Sequence, residues 1–455
     1  MSARRYPPGP STLTALRGMR LTHDLSRIPA FLESMARQYG PISSWQLPGR
    51  RMWFLDDPAL IDELLTAGGY DVVKGRGLQR MRRLLGEGLL TSDEPLHLRQ
   101  RRLVQPAFHR ERVAGYAATM IGAAADTANR LRDGETVALD ALMNRLALRI
   151  AAATLFSADV DDDADAIGHA VTEAMDVFPA SLSAFGELLD LIPFHPATRR
   201  FTRARAQLDA VIYRLVEQRR SDPTDRGDLL SILLSARDDE GRPMPDTLVR
   251  DEALTLLLAG HETTANALTW AWDMLARTPD AEARLHAELD AVLGDRDPVP
   301  ADVPRLAYTR DVVAEVLRLR PPAWILGRRV IRPLRLGEWE LEPGSIVVAA
   351  EIVTHRNPAY WTQPEAFRPE RWSNGETANL PRGAYFPFGG GNRICIGESF
   401  AWTEAILLLA TLGRRFRFRA TDLSPVPLEP LVTLRPGRSI VMQVQERHRV
   451  PAAVS

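Results

Sequence analysis

Phe388-Gly389-Gly390-Gly391-Asn392-Arg393-Ile394-Cys395-Ile396-Gly397 holds the only cysteine in the chain. A cysteine that ligates a metal does so as thiolate, so its surroundings must favour the charged form through hydrogen-bond donors and nearby positive charge. This run offers both. Its glycines remove side chains where backbone would approach a flat macrocycle, and they permit unusual dihedrals. Backbone N–H groups freed in this way can point at the sulfur and tune a bound iron. Arg393 is placed to meet an anionic group on the rim of such a cofactor. A lone cysteine in an arbitrary chain is a small buried hydrophobe. The spacing F-x-x-G-x-R-x-C-x-G is too restrictive for that account.

Working outward, the chain has 455 residues, 45% of them apolar, and a formal charge of −1. That length is enough for about three domains of ordinary size. No linker, repeat or low-complexity block divides it, so one large unit spanning 1–455 is expected. A charge near zero leaves no nucleic-acid or membrane-surface footprint. One cysteine excludes an intramolecular disulfide and fits a reducing compartment, so a cytoplasmic protein is expected. No apolar run approaches the roughly 18–20 residues that span a bilayer. Residues 1–10, ending in Pro7-Pro8-Gly9-Pro10, read as a proline-rich arm without a membrane anchor.

Helical periodicity is expected over 28–40, ending at Gly40-Pro41, and over 58–67. Strands are expected at 42–47 and 51–55, with Pro48-Gly49 as the turn between them. The Gly/Arg-rich stretch 74–91 reads as irregular. From His97 to about 290 the pattern is helical, interrupted at prolines and at Gly241-Arg242-Pro243. Residues 334–351 alternate as a small hairpin, 398–412 form an apolar helix, and a β-rich tail follows.

Three further motifs stand out. Ala259-Gly260-His261-Glu262-Thr263-Thr264 places a glycine, a carboxylate and two hydroxyls inside an apolar helix, 251–276. Threonine can bond back to a carbonyl and open such a helix locally. A zinc-protease reading of His261-Glu262 fails, because the second histidine of H-E-x-x-H would fall on Ala265. Glu315 and Arg318 are an i,i+3 pair that by itself describes a surface ion pair. It precedes Phe367-Arg368-Pro369-Glu370-Arg371-Trp372, which precedes the cysteine run. His97 and Arg101 are four residues apart and share one helix face.

Together these motifs resemble the cytochrome P-450 superfamily over about residues 7–441. The resemblance implies a mainly α fold with minor β, holding heme b between the long central helix and the Cys-loop helix. It implies that Cys395 is the axial thiolate, with Phe388, Arg393 and Gly397 in the heme-binding loop. Glu262 and Thr263 would guide protons to iron-bound dioxygen. Glu315, Arg318 and Arg371 would form a buried structural network. His97 and Arg101 would hold the heme propionates, with Arg328 as a third clamp residue and Arg329 the alternative. His97 stands where many members carry Trp, and Trp372 where many carry Phe.

The implied activity is monooxygenation of a hydrophobic substrate, with a ferredoxin and its reductase as electron donors. No flavin or nicotinamide domain fits in the remaining chain. Arg99, Arg102 and Arg110, with Arg393, would steer that carrier. Phe178, Leu182, Phe185, Leu188, Leu191 and Phe194 form an apolar lid, and Trp324, Ile325, Leu326 and Val432 would complete the pocket. The resemblance points to carotenoids or other terpenoids, with fatty acids second. A peroxide-driven peroxygenase or a non-catalytic heme protein would not need the Glu262–Thr263 pair.

Overall fold

Gly40 takes φ +84° and closes the helix Ile28–Tyr39, so the chain turns into a strand hairpin where the Gly-Pro break requires it. The computed structural model describes residues 6–19, 25–67, 70–158, 164–176, 195–222, 224–237 and 240–447. It is 57% helical, with a minor sheet content. The described strands are β1 (Ile42–Leu47), β2 (Arg50–Leu55), β3 (Val72–Lys74), β4 (Thr136–Ala138), β5 (Leu326–Val330) and β6 (Leu334–Leu336). They continue with β7 (Trp339–Leu341), β8 (Ile346–Ala349), β9 (Phe416–Ala420), β10 (Leu428–Pro430), β11 (Leu434–Pro436) and β12 (Val441–Glu446).

One sheet runs in the order β1-β2-β8-β5-β3. Its β1–β2 hairpin turns at Gly49, φ +73°, and β2 meets β8 in parallel register, Trp53 opposite Val347. Trp53, Phe54 and Leu55 are fully buried, so both faces of this sheet are covered. The expected hairpin at 334–351 divides in two: β6 and β7 pair locally around Gly337, while β8 joins the large sheet.

The main core lies among five helices: Arg110–Arg130, Leu139–Phe156, Asp246–Arg277, Ala307–Leu319 and Glu398–Arg415. The 32-residue helix Asp246–Arg277 is buried on nearly every face, and its Trp270 and Trp272 are each 1% exposed. A helix apolar all round is a core helix, which is why this one can run through the middle of the molecule. Among the described residues, no helix is long and apolar enough to cross a membrane.

Two expectations are corrected. The stretch 74–91 contains a helix, Arg76–Leu85, that buries Met81, Leu84 and Leu85. Gly75 and Gly86 sit at its two ends as caps and do not break it; Gly86 takes φ +57°. The run from His97 to 290 is also interrupted by β4, which pairs with the tail strand β12.

Candidate functional site

The cysteine loop is a tight hairpin held by its own backbone. Cys395 N–H donates to Phe388 O at 2.9 Å, Gly389 N–H to Phe386 O at 2.8 Å, and Ile394 N–H to Gly391 O at 3.2 Å. Gly389 and Gly391 take positive φ. A Cβ on Gly391 would stand 2.2 Å from Leu65 O, so this glycine lets the loop lie against the helix Pro58–Thr66. Gly391 thus serves a protein contact. A Cβ on Gly397 would be 3.9 Å from Cys395 Sγ.

Cys395 is exposed, yet it lies deep in the protein mass, so its sulfur opens onto interior space. Burial pushes its thiol pKa up; the Gly397 N–H, which bonds the sulfur, and the Arg101 charge act in the opposite direction. Gly397 also begins the helix Glu398–Arg415, whose N-terminal dipole favours negative charge nearby. Arg101 donates to Ile394 O at 2.7 Å, beside the cysteine. Among the described residues no three of His, Cys, Asp or Glu converge as a metal cage. A metal on Cys395 therefore has to bring its remaining ligands with it, which fits iron in a macrocycle.

A second cluster fits the acidic edge of such a group. Lys74, Arg328 and Arg393 line one pocket together with Glu94 and Asn392. Lys74 and Arg328 are directly opposed across β3 and β5, a like-charge pairing that is unfavourable in a sheet, and the Lys74 ammonium donates to Leu89 O at 3.1 Å and to Leu90 O. Burial lowers the Lys74 pKa well below its usual range, and Arg393 and Arg328 lower it further. Arg328 falls to about 10 through burial first and Arg393 second. His97 Nδ1 donates to Glu94 Oε1 at 3.0 Å, and the ring is lowered to about 4 by burial, Arg393 and Lys74. Arg393 donates to Ser92 O at 2.8 Å, with Glu94 3.6 Å and Asp93 3.9 Å away. Glu94 and Asp93 offset part of this positive charge, and the cations that remain fit a group carrying carboxylates. Of the two candidate arginines, Arg328 is the one that lines this pocket. Lys74 was missed from sequence, and the one signal for it was a charge closing the apolar strand Val-Val-Lys.

On the long helix, accessibility reappears at Ala259, Gly260 and Thr263, which share one face of an otherwise buried segment. Thr263 Oγ1 donates back to Ala259 O at 2.8 Å and Thr264 Oγ1 to Gly260 O at 3.3 Å, the back-bonds expected of this motif, and the helix runs unbroken through them. Glu262 is buried and has partners that the sequence did not reveal. Its Oε1 accepts from Arg435 Nε at 2.8 Å, from Arg435 Nη2 at 2.7 Å and from the Thr433 hydroxyl. Asn266 donates to the same hydroxyl at 3.2 Å. His261, lowered to about 4 mainly by burial, is neutral.

Glu315, Arg318 and Arg371 come together as a buried network, each at most 1% exposed. Arg318 grips Glu315 bidentately at 2.8 and 2.9 Å, and Arg371 Nε reaches it at 3.0 Å. Trp372 Nε1 also donates to Glu315, at 3.1 Å, a bond that phenylalanine could not make. Arg318 donates to His355 O, and His355 Nε2 accepts the Phe386 N–H at 3.0 Å. One residue thus separates the network from the root of the cysteine loop.

Among the expected pocket residues, Phe178 and Phe185 lie outside the described residues, as do Leu182, Leu188, Leu191 and Phe194. Ile325, Leu326 and Val432 are half-buried. Trp324 is 3% exposed, and its indole N–H donates to Leu431 O at 3.0 Å, so it anchors the tail loop from within a core cluster.

A family model described as Cytochrome P450 matches residues 7–442. The chain belongs to the cytochrome P450 family. Within it, the chain is a P450 monooxygenase. It is 41% identical over 415 residues to a cyclooctatin synthase of Streptomyces melanosporofaciens, covering 90% of this chain and 89% of the relative. It is 35% identical to a cyclooctat-9-en-7-ol 5-monooxygenase of the same organism, covering 87% and 85%. It is 33% identical to a pentalenene oxygenase of Streptomyces avermitilis, covering 92% and 89%.

Proposed function

We propose that this chain binds heme b through Cys395 and hydroxylates a terpenoid, with a ferredoxin and its reductase supplying electrons in the cytoplasm. The observation that carries the reading is the accessible yet deep thiol at a helix N-terminus, bonded by the Gly397 N–H. When bound, heme supplies dioxygen activation and transfer of one oxygen atom to a C–H bond, with the other leaving as water. Cys395 Sγ holds the thiolate charge. Lys74, Arg328, Arg393 and His97 meet the carboxylates at the cofactor edge, and Arg101 braces the loop through Ile394 O.

Thr263 Oγ1, on the accessible face, holds and passes a proton, and Glu262 is the acid that replenishes it. The Arg435 guanidinium keeps Glu262 turned toward β11, so delivery requires that ion pair to loosen. Thr263→Ala is expected to leave heme content and substrate-binding spectra intact while diverting reducing equivalents to peroxide. Unchanged product per reductant consumed would reduce the pair to a helix irregularity.

Three relatives with names stating action on, or formation of, cyclooctat-9-en-7-ol, cyclooctatin and pentalenene support an alicyclic hydrocarbon skeleton as substrate. Half-buried Ile325, Leu326 and Val432 suit a skeleton with few polar handles. A spectral binding screen tests this. Terpenoid olefins and alcohols should shift the heme band at lower concentration than fatty acids of equal carbon number, and the reverse order would make the enzyme a fatty-acid hydroxylase.

Arg99, Arg102 and Arg110 are exposed along the segment that carries His97 and Arg101, and they form the docking face for an acidic carrier. Arg393 is turned inward onto Ser92 and takes no part. Replacing Arg99 and Arg102 with Glu should slow first-electron transfer and flatten its salt dependence, with substrate spectra unmoved. Transfer rates equal to wild type across ionic strength would remove the docking face and leave the oxygenase assignment standing.

A further inference from the structure

A groove of about 350 Å³ lies between the end of the helix Arg110–Arg130, strand β4 and the first half of the helix Leu139–Phe156. Leu131 and Leu146, both buried, make its floor, and the half-buried Val137 and Leu142 make its walls. Val441, opposite Ala138 across β4 and β12, is 40% exposed and carries the apolar surface outward. Nothing in the reaction described above uses this surface.

The groove is also far from the cysteine. The helices Arg110–Arg130 and Glu398–Arg415 run side by side in the same direction. Tyr116 meets Phe400, with ring centroids 6.1 Å apart, and Asn129 accepts from Arg415 at 2.6 Å. The groove adjoins the Asn129 end, whereas Cys395 precedes the other. At about 1.5 Å of rise per residue, the two ends of the helix Glu398–Arg415 stand about 25 Å apart. The groove and the space at Cys395 are separate.

Its lining carries one sign of charge. Arg130, Arg145 and Arg149 line it, and among the described residues no Asp or Glu does. The acids close by in sequence are turned to other partners. Asp133 accepts the Glu446 N–H at 2.8 Å, Glu135 the Arg132 N–H at 2.8 Å, and Asp140 the Ser439 hydroxyl at 2.6 Å. Asp126 takes up Arg149, at 2.8 Å. Leu142, Arg145, Leu146 and Arg149 follow the three- and four-residue spacing that puts side chains on one helix face. Hydrocarbon and guanidinium groups therefore border the same space. Arginine stems extend an apolar wall, and their planar forks pair with a carboxylate bidentately. The volume falls near the lower end of the roughly 300–1,000 Å³ usual for small-molecule sites, which suits one slender amphiphile better than a protein segment.

We propose that this groove binds a long-chain carboxylate, a free fatty acid, with its hydrocarbon against Leu131, Leu142 and Leu146 and its head group at Arg130 and Arg145. It is a second ligand site, apart from the one that holds the substrate to be oxidised, and it stands independently of the function proposed for Cys395.

Photolabelling of the heme-loaded protein with a diazirine-bearing palmitate, kept below its micellar concentration, tests the proposal. Labels are expected on peptides spanning 127–149, which contain the lining residues. Excess laurate should suppress them, and dodecanol, of equal chain length and without charge, should not. Arg130 and Arg145 are exposed, so Arg130→Glu with Arg145→Glu should fold. That double variant should need about tenfold more palmitate for half-maximal labelling, with the substrate-induced shift of the heme band unmoved. Leu142→Trp, which fills the groove, should lose the label. Labels found only outside 127–149 overturn the proposal, and so does wild-type labelling in the double variant. Equal suppression by laurate and dodecanol overturns it as well, because the arginines would then play no part. Sedimentation with phosphatidylglycerol vesicles that the double variant loses, without labelling by free palmitate, overturns it in favour of a lipid-surface contact.

Discussion

Cys395→His is expected to lose the red-shifted absorption band of the carbon monoxide complex of the reduced protein, because a thiolate ligand would be its source. The loop is built for sulfur carrying negative charge. The Gly397 N–H and the Arg101 charge both favour the anion, and the helix beginning at Gly397 adds its dipole. Burial works against ionisation, so a bound metal would tip the balance, since it deprotonates a coordinating thiol. Imidazole in that place is neutral, larger, and cannot accept from Gly397 in the same geometry. The variant should retain little heme, and what it retains should show the absorption of a histidine-ligated iron. A wild-type carbonyl band in Cys395→His would end the heme-thiolate reading of this chain.

Glu315→Ala should be heme-poor or insoluble. Breaking a buried ion pair by removing one partner costs about 3–5 kcal/mol, because the other charge stays buried without compensation. Here two guanidiniums lose it at once, together with the Trp372 indole and the Arg368 backbone N–H, 3.0 Å from the same carboxylate. Arg318 keeps three backbone carbonyls, which satisfy hydrogens without cancelling charge, while Arg371 keeps the carbonyls near 363 and one counter-charge, Glu376 at 3.4 Å. With total stabilities of about 5–15 kcal/mol, the expected loss is a large fraction of the whole. The damage reaches the cysteine loop through His355, which ties Arg318 to Phe386. Glu315→Gln, which keeps hydrogen bonds and removes charge, should lie between the two. Normal heme loading and an unchanged melting temperature in Glu315→Ala would refute the structural role.

What the sequence made legible were motifs whose meaning is local. Cys395 with its glycines, the i,i+3 spacing of Glu315 and Arg318, and the Ala259–Thr264 turn can each be read from a single window. Arg371 joined them only through order along the chain. Lys74 stayed hidden because its significance depends on standing opposite Arg328, 254 positions later, and no periodicity announces a cross-strand pair. Arg435 and Thr433 stayed hidden for the same reason: a three-residue strand in a β-rich tail gives no sign that it ends on a helix acid. The helix Arg76–Leu85 was obscured by glycines that cap it, and β4 exists only because β12 pairs with it. Trp324 has the composition of a pocket wall, and only its indole bond to Leu431 shows that it anchors the tail.

The grip of Arg435 on Glu262 spans 173 residues, and it orders events during synthesis. At about 5–20 residues per second, a ribosome makes Glu262 roughly 9–35 s before the strand that closes over this acid exists. Through that interval a nascent chain with its central helix made still carries Glu262 without its cation, so closing the core over it leaves a buried carboxylate unpaired. The last turn of assembly therefore waits for β11. A stalled or prematurely terminated chain lacking residues beyond 430 should stay open at its centre, bound to chaperones and cleaved by proteases, even though every residue proposed to hold heme has already been made.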